Sequence, residues 1–343
     1  FKNDPNNQQR FNRWGMMMSP GVAAGCWLEG GDLWCLIPGN PNQGVAGARL
    51  SSFEPATGKQ KWTSSSVPAF ATWPIMSPPL LVKDRIIYCS SKQDRSTALH
   101  VVCVRRGDFK VLWTSEFGAH NFDANGYYYY YQMPYARMVL VGDRLFVDTH
   151  NGAMAELDAQ GGKVRWAYLY ESEPPPQPNY YYGYMPRKLS VGPLLYHDGV
   201  LFQKGMRTSR LLALRIDGPA VEWKRPVDQS DLLHSCDGER LTLAGPEYGA
   251  YDRGAKALAW SVKLPEADGT AGQMPPLETP NQLIFATTRG VFAFRKSDGE
   301  RIGQFRGADL DSAGGWVLPA GDRIVVVSNR AATAYKLPPT KRN

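Results

Sequence analysis

Apolar and polar residues alternate along this chain in short runs, and the runs are broken by tight Gly, Asp or Asn turns. A period of two with turn residues between the runs predicts β-strands throughout. The turns fall at Gly30-Gly31-Asp32, Lys83-Asp84-Arg85, Gly142-Asp143-Arg144, His197-Asp198-Gly199, Asp237-Gly238-Glu239, Pro280-Asn281 and Gly321-Asp322-Arg323. A second phrase follows each of the first six, a turn and then a strand that ends on an aromatic residue. It runs Glu54 to Trp62, Arg106 to Trp113 and Asp158 to Trp166, with looser copies from Asp217 to Trp223, Asp252 to Trp260 and Ser297 to Phe305. Self-similarity at roughly 40–45 residues, with about four short strands per period, is the signature of propeller blades.

The expected fold is therefore all-β, a seven-bladed β-propeller of four-stranded antiparallel blades forming one domain over residues 1–343. Eight blades is the alternative. With strands lettered A to D from the inside outward, blade one has A at about 18–28, B at 33–37, C at 48–53 and D around Trp62. The last blade begins near Trp316, reaches Tyr335 and has no strand D. Arg10 to Trp14 also ends on tryptophan, and it is expected to supply that strand and close the ring, which removes an open sheet edge.

Composition narrows the reading. The 34 glycines, 26 prolines and 43% hydrophobic residues fit a turn-rich globular chain. The net charge of +7 comes from 39 basic and 32 acidic residues interspersed along the sequence. That balance admits an anionic partner without requiring one, and with no recognition motif present it argues against nucleic acid. No apolar run approaches the roughly 18–20 residues that span a bilayer. The chain opens on Phe1 with polar residues behind it and shows no signal-peptide pattern, which reads as a processed chain or part of a longer polypeptide.

The five cysteines have no metal-ligand spacing. Cys26 and Cys35 flank the Gly30-Gly31 turn symmetrically, and Cys89 and Cys103 flank a longer loop centred near Ser96. Directly opposed cysteines at a closer, non-hydrogen-bonded pair can join, so two disulfides are expected with Cys236 left over. Such bonds point to an oxidising compartment, periplasmic or extracellular.

The phrase Thr57-Gly58-Lys59-Gln60-Lys61-Trp62, and its copy Gly161-Gly162-Lys163-Val164-Arg165-Trp166, resemble the pyrroloquinoline-quinone-like (PQQ-like) β-propeller repeat family. That family holds both quinoprotein alcohol dehydrogenases and non-enzymatic scaffolds such as the outer-membrane-assembly lipoprotein. The motif is structural: glycine permits a turn with positive φ, and tryptophan packs between blades. The dehydrogenases typically carry a vicinal cysteine disulfide, a Glu/Asn/Asp calcium set and a catalytic Asp. This chain has no adjacent cysteines and no alignable calcium set, so neither PQQ nor calcium is expected. Asp123, Asp143 and Asp322 read as turn carboxylates, and the five histidines lack metal-ligand spacing. No catalytic residue is assigned.

Blade spacing is wider early in the chain than late, so the first half carries insertions between strand D and the next strand A. They run through Ser64–Trp73, through Phe117–Gly126 into Tyr127–Tyr131, and through Glu171–Asn179 into Tyr180–Tyr184. D–A and B–C connections leave a propeller on one face. The candidate partner-binding residues on that face are Trp73, Arg95, His120, Tyr128, Tyr130, His150, Tyr181, Tyr182, Arg207, Arg210, Arg289 and Arg330, with Lys92 and Lys204 also placed in B–C connections. Tyrosine joins apolar area to a hydroxyl at low entropic cost, which suits contact with protein or sugar. The leading expectation is a non-enzymatic scaffold that binds a protein or an anionic cell-surface polymer, including within a membrane-associated complex. A PQQ-dependent oxidoreductase and a glycan-binding or glycan-processing propeller are the alternatives.

Overall fold

The computed structural model describes residues 25–38, 48–93, 97–120, 136–149, 152–171, 192–205, 208–227, 232–244, 248–253, 258–263, 276–287, 289–306, 316–320, 323–327 and 332–336. They form a seven-bladed β-propeller in which the strands of each blade pair in chain order. Blade one holds β1 to β4 (Gly25–Glu29, Asp32–Pro38, Ala48–Phe53, Gln60–Thr63) and is followed by a short helix, α1 (Pro68–Thr72). Blade two holds β5 to β8 (Leu80–Val82, Arg85–Gln93, Thr97–Arg105, Val111–His120), and blade three β9 to β12 (Arg137–Val141, Arg144–Asp148, Ala153–Asp158, Val164–Leu169). Blade four holds β13 to β16 (Leu195–His197, Val200–Lys204, Arg210–Arg215, Ala220–Pro226), and blade five β17 to β20 (Leu232–Cys236, Arg240–Ala244, Tyr248–Asp252, Leu258–Val262). Blade six holds β21 to β24 (Leu277–Glu278, Gln282–Ala286, Gly290–Arg295, Arg301–Arg306), and blade seven β25 to β27 (Trp316–Ala320, Arg323–Val327, Ala332–Lys336).

The repeated phrases have local causes. In the A–B turn of blade four, Asp198 and Gly199 both take positive φ (48° and 78°), the paired left-handed geometry that matches strand twist in a two-residue hairpin. In the C–D turn of blade three the Gly162 amide donates to the Asp158 carbonyl at 2.7 Å, with φ at 75°. Blade two fills the same position with Phe109 at φ 56°, and its ring stacks on Trp62 of blade one at 5.1 Å.

A β-bulge recurs in the outer strand just before the tryptophan. Lys61, Leu112, Arg165, Glu222 and Ala259 are each skipped in the register, which pairs Trp62, Trp113, Trp166, Trp223 and Trp260 with Ser52, Cys103, Glu156, Ala213 and Ala250. One extra residue bends a strand and re-aims the next side chain. Blade six departs from the pattern: the bulge lies at Ile302, so Gly303 takes the register position of the tryptophans and Phe305 falls two residues later. Phe305 is 47% exposed, with its ring edge-on to Tyr335 at 4.7 Å.

The chain divides into two compact units. The first comprises residues 1–24, 35–135 and 175–189, and the second 25–34, 136–174 and 190–343. In the first, Ile86, Ile87, Tyr88, Val101, Val102 and Val104 fill blade two, and Phe70 of α1 packs against Trp62 and Tyr88. In the second, apolar clusters lie between consecutive sheets. Phe146, Met154, Leu201 and Leu212 join blades three and four, and Phe202, Leu211, Leu233 and Leu243 join blades four and five. Ile284, Val291, Ile324 and Val326 join blades six and seven.

Blade seven has three strands among the described residues, and the Arg10–Trp14 segment expected to complete it lies outside them. Deleting residues 1–14 is expected to lower the melting temperature by uncovering the edge of β27. An unchanged melting temperature would reject closure by that segment.

Candidate protein-binding surface

Within a blade, the B–C and D–A connections leave from the same end of the sheet, and the candidate residues are distributed over those connections. Arg95, Tyr128, Tyr130, His150, Tyr181, Tyr182, Arg207 and Arg330 lie outside the described residues, as does the side chain of His120. His120 belongs to the backbone of β8, paired with Thr97, so residues 117–120 continue a ten-residue strand and do not open an insertion. Lys92 likewise sits inside β6 and not in a connection.

Trp73 in the first unit is the best-defined member. The chain leaves blade one through a 3-10 turn at Ser64–Ser66, and Pro68 starts α1 where its missing N–H costs nothing. Trp73 caps that helix half-buried, its ring edge-on to buried His100 at 5.0 Å. The Tyr88 hydroxyl donates to the Trp73 carbonyl at 3.0 Å. Burial raises the Tyr88 pKa well above the usual phenol range, so this hydroxyl stays a donor. Trp73 is thus contacted at its ring by His100 and at its backbone carbonyl by Tyr88.

In the second unit, Arg210 opens β15 and its Nε lies 3.5 Å from Glu171 Oε2, both side chains being exposed. Arg289 is exposed in the B–C connection of blade six. Lys204, expected in the B–C connection of blade four, is the last residue of β14 and is 3% exposed. Buried polar groups surround that strand end. The Tyr170 hydroxyl donates to Oδ1 of fully buried Asp148 at 2.7 Å. Burial and then the Asp148 charge lift the Tyr170 pKa well above its ordinary value. A Cβ on Gly205 would stand 3.0 Å from Gln203 Nε2, Thr208 Cγ2 and Tyr170 Cε2, so a side chain there would require these groups to shift by a few tenths of an ångström. The Gln203 amide is buried with neither Nε2 nor Oε1 hydrogen-bonded. Sequence reading missed this group. Its signal was Asp148 and Gln203-Lys204 at strand ends where blade six has Phe285-Ala286 and blade seven Val326-Val327.

The cysteine expectation needs a correction. β6 and β7 pair with Cys89 opposite Val101 and Cys103 opposite Ile87, so Cys89 and Cys103 are diagonal rather than opposed. Diagonal neighbours are about 7–8 Å apart, beyond disulfide reach. Cys103 is a free thiol whose pKa burial pushes up to about 11, and Cys236 is another, pushed up to about 12 by burial. The Cys26 side chain lies outside the described residues, so the Cys26–Cys35 pair stays an expectation.

Among the described residues no group of three or more His, Cys, Asp and Glu is placed to hold a metal ion, and no helix is long and apolar enough to cross a membrane. The described connections carry a half-buried indole at Trp73 and exposed guanidinium groups at Arg210 and Arg289.

Comparison with solved structures returns the same architecture. BamB from Moraxella catarrhalis superposes with a TM-score of 0.60 at 14% identity, covering 93% of this chain and 86% of that one. The computationally designed Ika8 protein gives 0.58 at 7% identity, covering 92% and 83%. Quinohemoprotein alcohol dehydrogenase from Comamonas testosteroni gives 0.56 at 13% identity, covering 88% and 62%. At these identities the likeness is one of fold. A comparison with curated protein sequences found no match. The family model described as outer membrane protein assembly factor BamB matches residues 46–305, three quarters of the chain, and the chain, a seven-bladed propeller, belongs to that PQQ-like propeller family.

Proposed function

We propose that this chain is a non-enzymatic scaffold that works outside the cytoplasm, holding a protein partner within a membrane-associated assembly. The family match over residues 46–305, to a model described by outer-membrane protein assembly, carries the reading. The tyrosine-bearing D–A connections and Trp73 are the contact surface in this account. Three insertions require ordering entropy that a bare propeller avoids, and their Tyr and Pro content suits a stiff surface better than a mobile lid.

The quinone-dependent alternative draws on the dehydrogenase fold match, which at 13% identity supports architecture alone. An absorption spectrum of the natively purified chain separates the two, because bound quinone absorbs outside the protein band. The scaffold reading is tested by replacing Tyr128, Tyr130 and Tyr181 together with Ser. The variant is expected to lose its envelope partner in affinity isolation while keeping the parent far-ultraviolet circular dichroism. Undiminished retention would reject this surface.

A further inference from the structure

The A–B and C–D turns of blade two, both within the first unit, are the most basic of the described turns. They are joined at one end of the sheet: the Arg106 amide donates to the Asp84 carbonyl at 2.6 Å, and Arg106 Nη1 donates to the Lys83 carbonyl at 3.2 Å. Residues 83–85 and 105–110 set Lys83, Arg85, Arg105, Arg106 and Lys110 against Asp84 and Asp108 alone. Asp108 is used inside its own turn, accepting from the Lys110 amide at 3.2 Å and from Arg105 Nη1 at 3.1 Å. The C–D turn also rests on blade one, where Phe109 stacks on Trp62 of β4, and exposed Lys59 immediately precedes that strand.

Other blades balance such charges. At the corresponding turns blade three holds Asp143, Arg144, Asp158 and Lys163, and blade six holds Arg295, Lys296, Asp298 and Glu300. Cations there are also paired, Arg144 with Glu156, Arg295 with Asp298 and Glu300, and Lys296 with Asp237 and Glu278. Among the described residues the ammonium groups of Lys59, Lys83 and Lys110 form no ion pair, and all three residues are exposed. The exposed residues of the two blade-two turns are Lys83, Asp84, Arg105, Gly107, Asp108 and Lys110, polar residues and a glycine. Such a surface lacks the apolar anchors that dominate protein interfaces. It suits a plane of phosphate charge, which long lysine side chains can meet at any lateral position.

We infer that this end of blade two docks on an anionic lipid surface, with Lys59, Lys83 and Lys110 supplying the contact charge. Each cation close to such a surface adds to the attraction, which fades within a Debye length. The A–B and C–D turns lie at the opposite end of the sheet from the B–C connection of the same blade. Lipid docking therefore leaves that connection open to a protein. The inference does not rest on the scaffold reading.

The test is co-sedimentation of the full chain with vesicles of phosphatidylglycerol and phosphatidylcholine in equal parts, against vesicles of phosphatidylcholine alone. Binding is expected with the anionic vesicles only, and raising salt from about 50 mM to about 500 mM should release the protein. The triple variant Lys59→Gln/Lys83→Gln/Lys110→Gln should lower the partition by at least about tenfold. A second triple variant, Lys163→Gln/Lys224→Gln/Lys263→Gln, removes the same net charge from exposed positions on blades three, four and five. It should change the partition by less than about twofold, because those lysines stand away from the docked turns. Far-ultraviolet circular dichroism of both variants should match the parent. No binding to the anionic vesicles, whether or not a labelled octaglutamate peptide is held instead, would overturn the inference. So would equal binding to phosphatidylcholine vesicles, or equal losses in the two triple variants.

Discussion

Acidification from pH 7 to pH 4 is expected to destabilise the protein by up to about 3 kcal/mol through one side chain, His234. The ring is buried in β17, its Nε2 without a hydrogen-bond partner. Burial pushes the imidazole pKa down from an ordinary 6.5 to about 4, because the charged form cannot be solvated there. In the unfolded chain the same group takes up a proton near its ordinary value. Between those two values the unfolded state binds more protons, so stability falls as pH drops through about 6.5 and the loss levels off below about 4. The carboxylates held low by partners, among them Glu156, Asp237 and Asp298, act in a more acidic window, from the ordinary carboxylate range near 4 downward. Urea unfolding of the parent and of His234→Gln at several pH values checks this. The parent should lose its advantage over the variant, or fall further behind it, as pH decreases. Parallel profiles would remove His234 from the account.

A loss of about 3–5 kcal/mol is expected from Arg144→Ala. Glu156 sits in blade three with its side chain 2% exposed. Arg144 Nε reaches Oε1 at 2.8 Å and Nη2 reaches Oε2 at 2.6 Å, a bidentate pair, and Arg165 Nη1 adds a third contact at 3.1 Å. Burial alone would raise the Glu156 pKa, but the Arg144 hydrogen bonds and charge outweigh it and hold the carboxylate below its ordinary value. Arg144 also donates to the Ile216 carbonyl, tying blade three to blade four. Removing the arginine leaves a buried anion with one half-exposed partner, and breaking one side of a buried pair is the costly case. The double variant Arg144→Met/Glu156→Met should be far less destabilised than Arg144→Ala. A single-variant loss below about 1 kcal/mol would show that water reaches Glu156 freely.

The fold was legible because its signals are local. Asp198-Gly199 and Gly161-Gly162 impose turn geometry on their own residues, and the tryptophans at 62, 113, 166, 223 and 260 mark each outer strand. Where position depends on a distant register, the reading slipped. The β6–β7 pairing is offset from the expected symmetric register, since Gln93 pairs with Thr97. That offset converts an opposed cysteine pair into a diagonal one, and nothing in a symmetric spacing distinguishes the two. Phe305 looked like a sixth tryptophan substitute, but the bulge at Ile302 gives that position to Gly303. The candidate surface was legible only as loop composition. The Asp148–Tyr170 bond joins the ends of two strands of blade three, 22 residues apart in sequence, and no local pattern announces it or the buried Gln203 amide.

Site-specific photo-cross-linking in living cells tests the central claim most directly. A photoreactive residue placed at 128 or 181 puts the probe on the D–A connections, and one at 198 or 281 puts it on the A–B turns. The scaffold account predicts a discrete cross-linked envelope partner from positions 128 and 181 and none from 198 and 281. Cross-links to the same partner from the A–B turns, with none from 128 or 181, would contradict it.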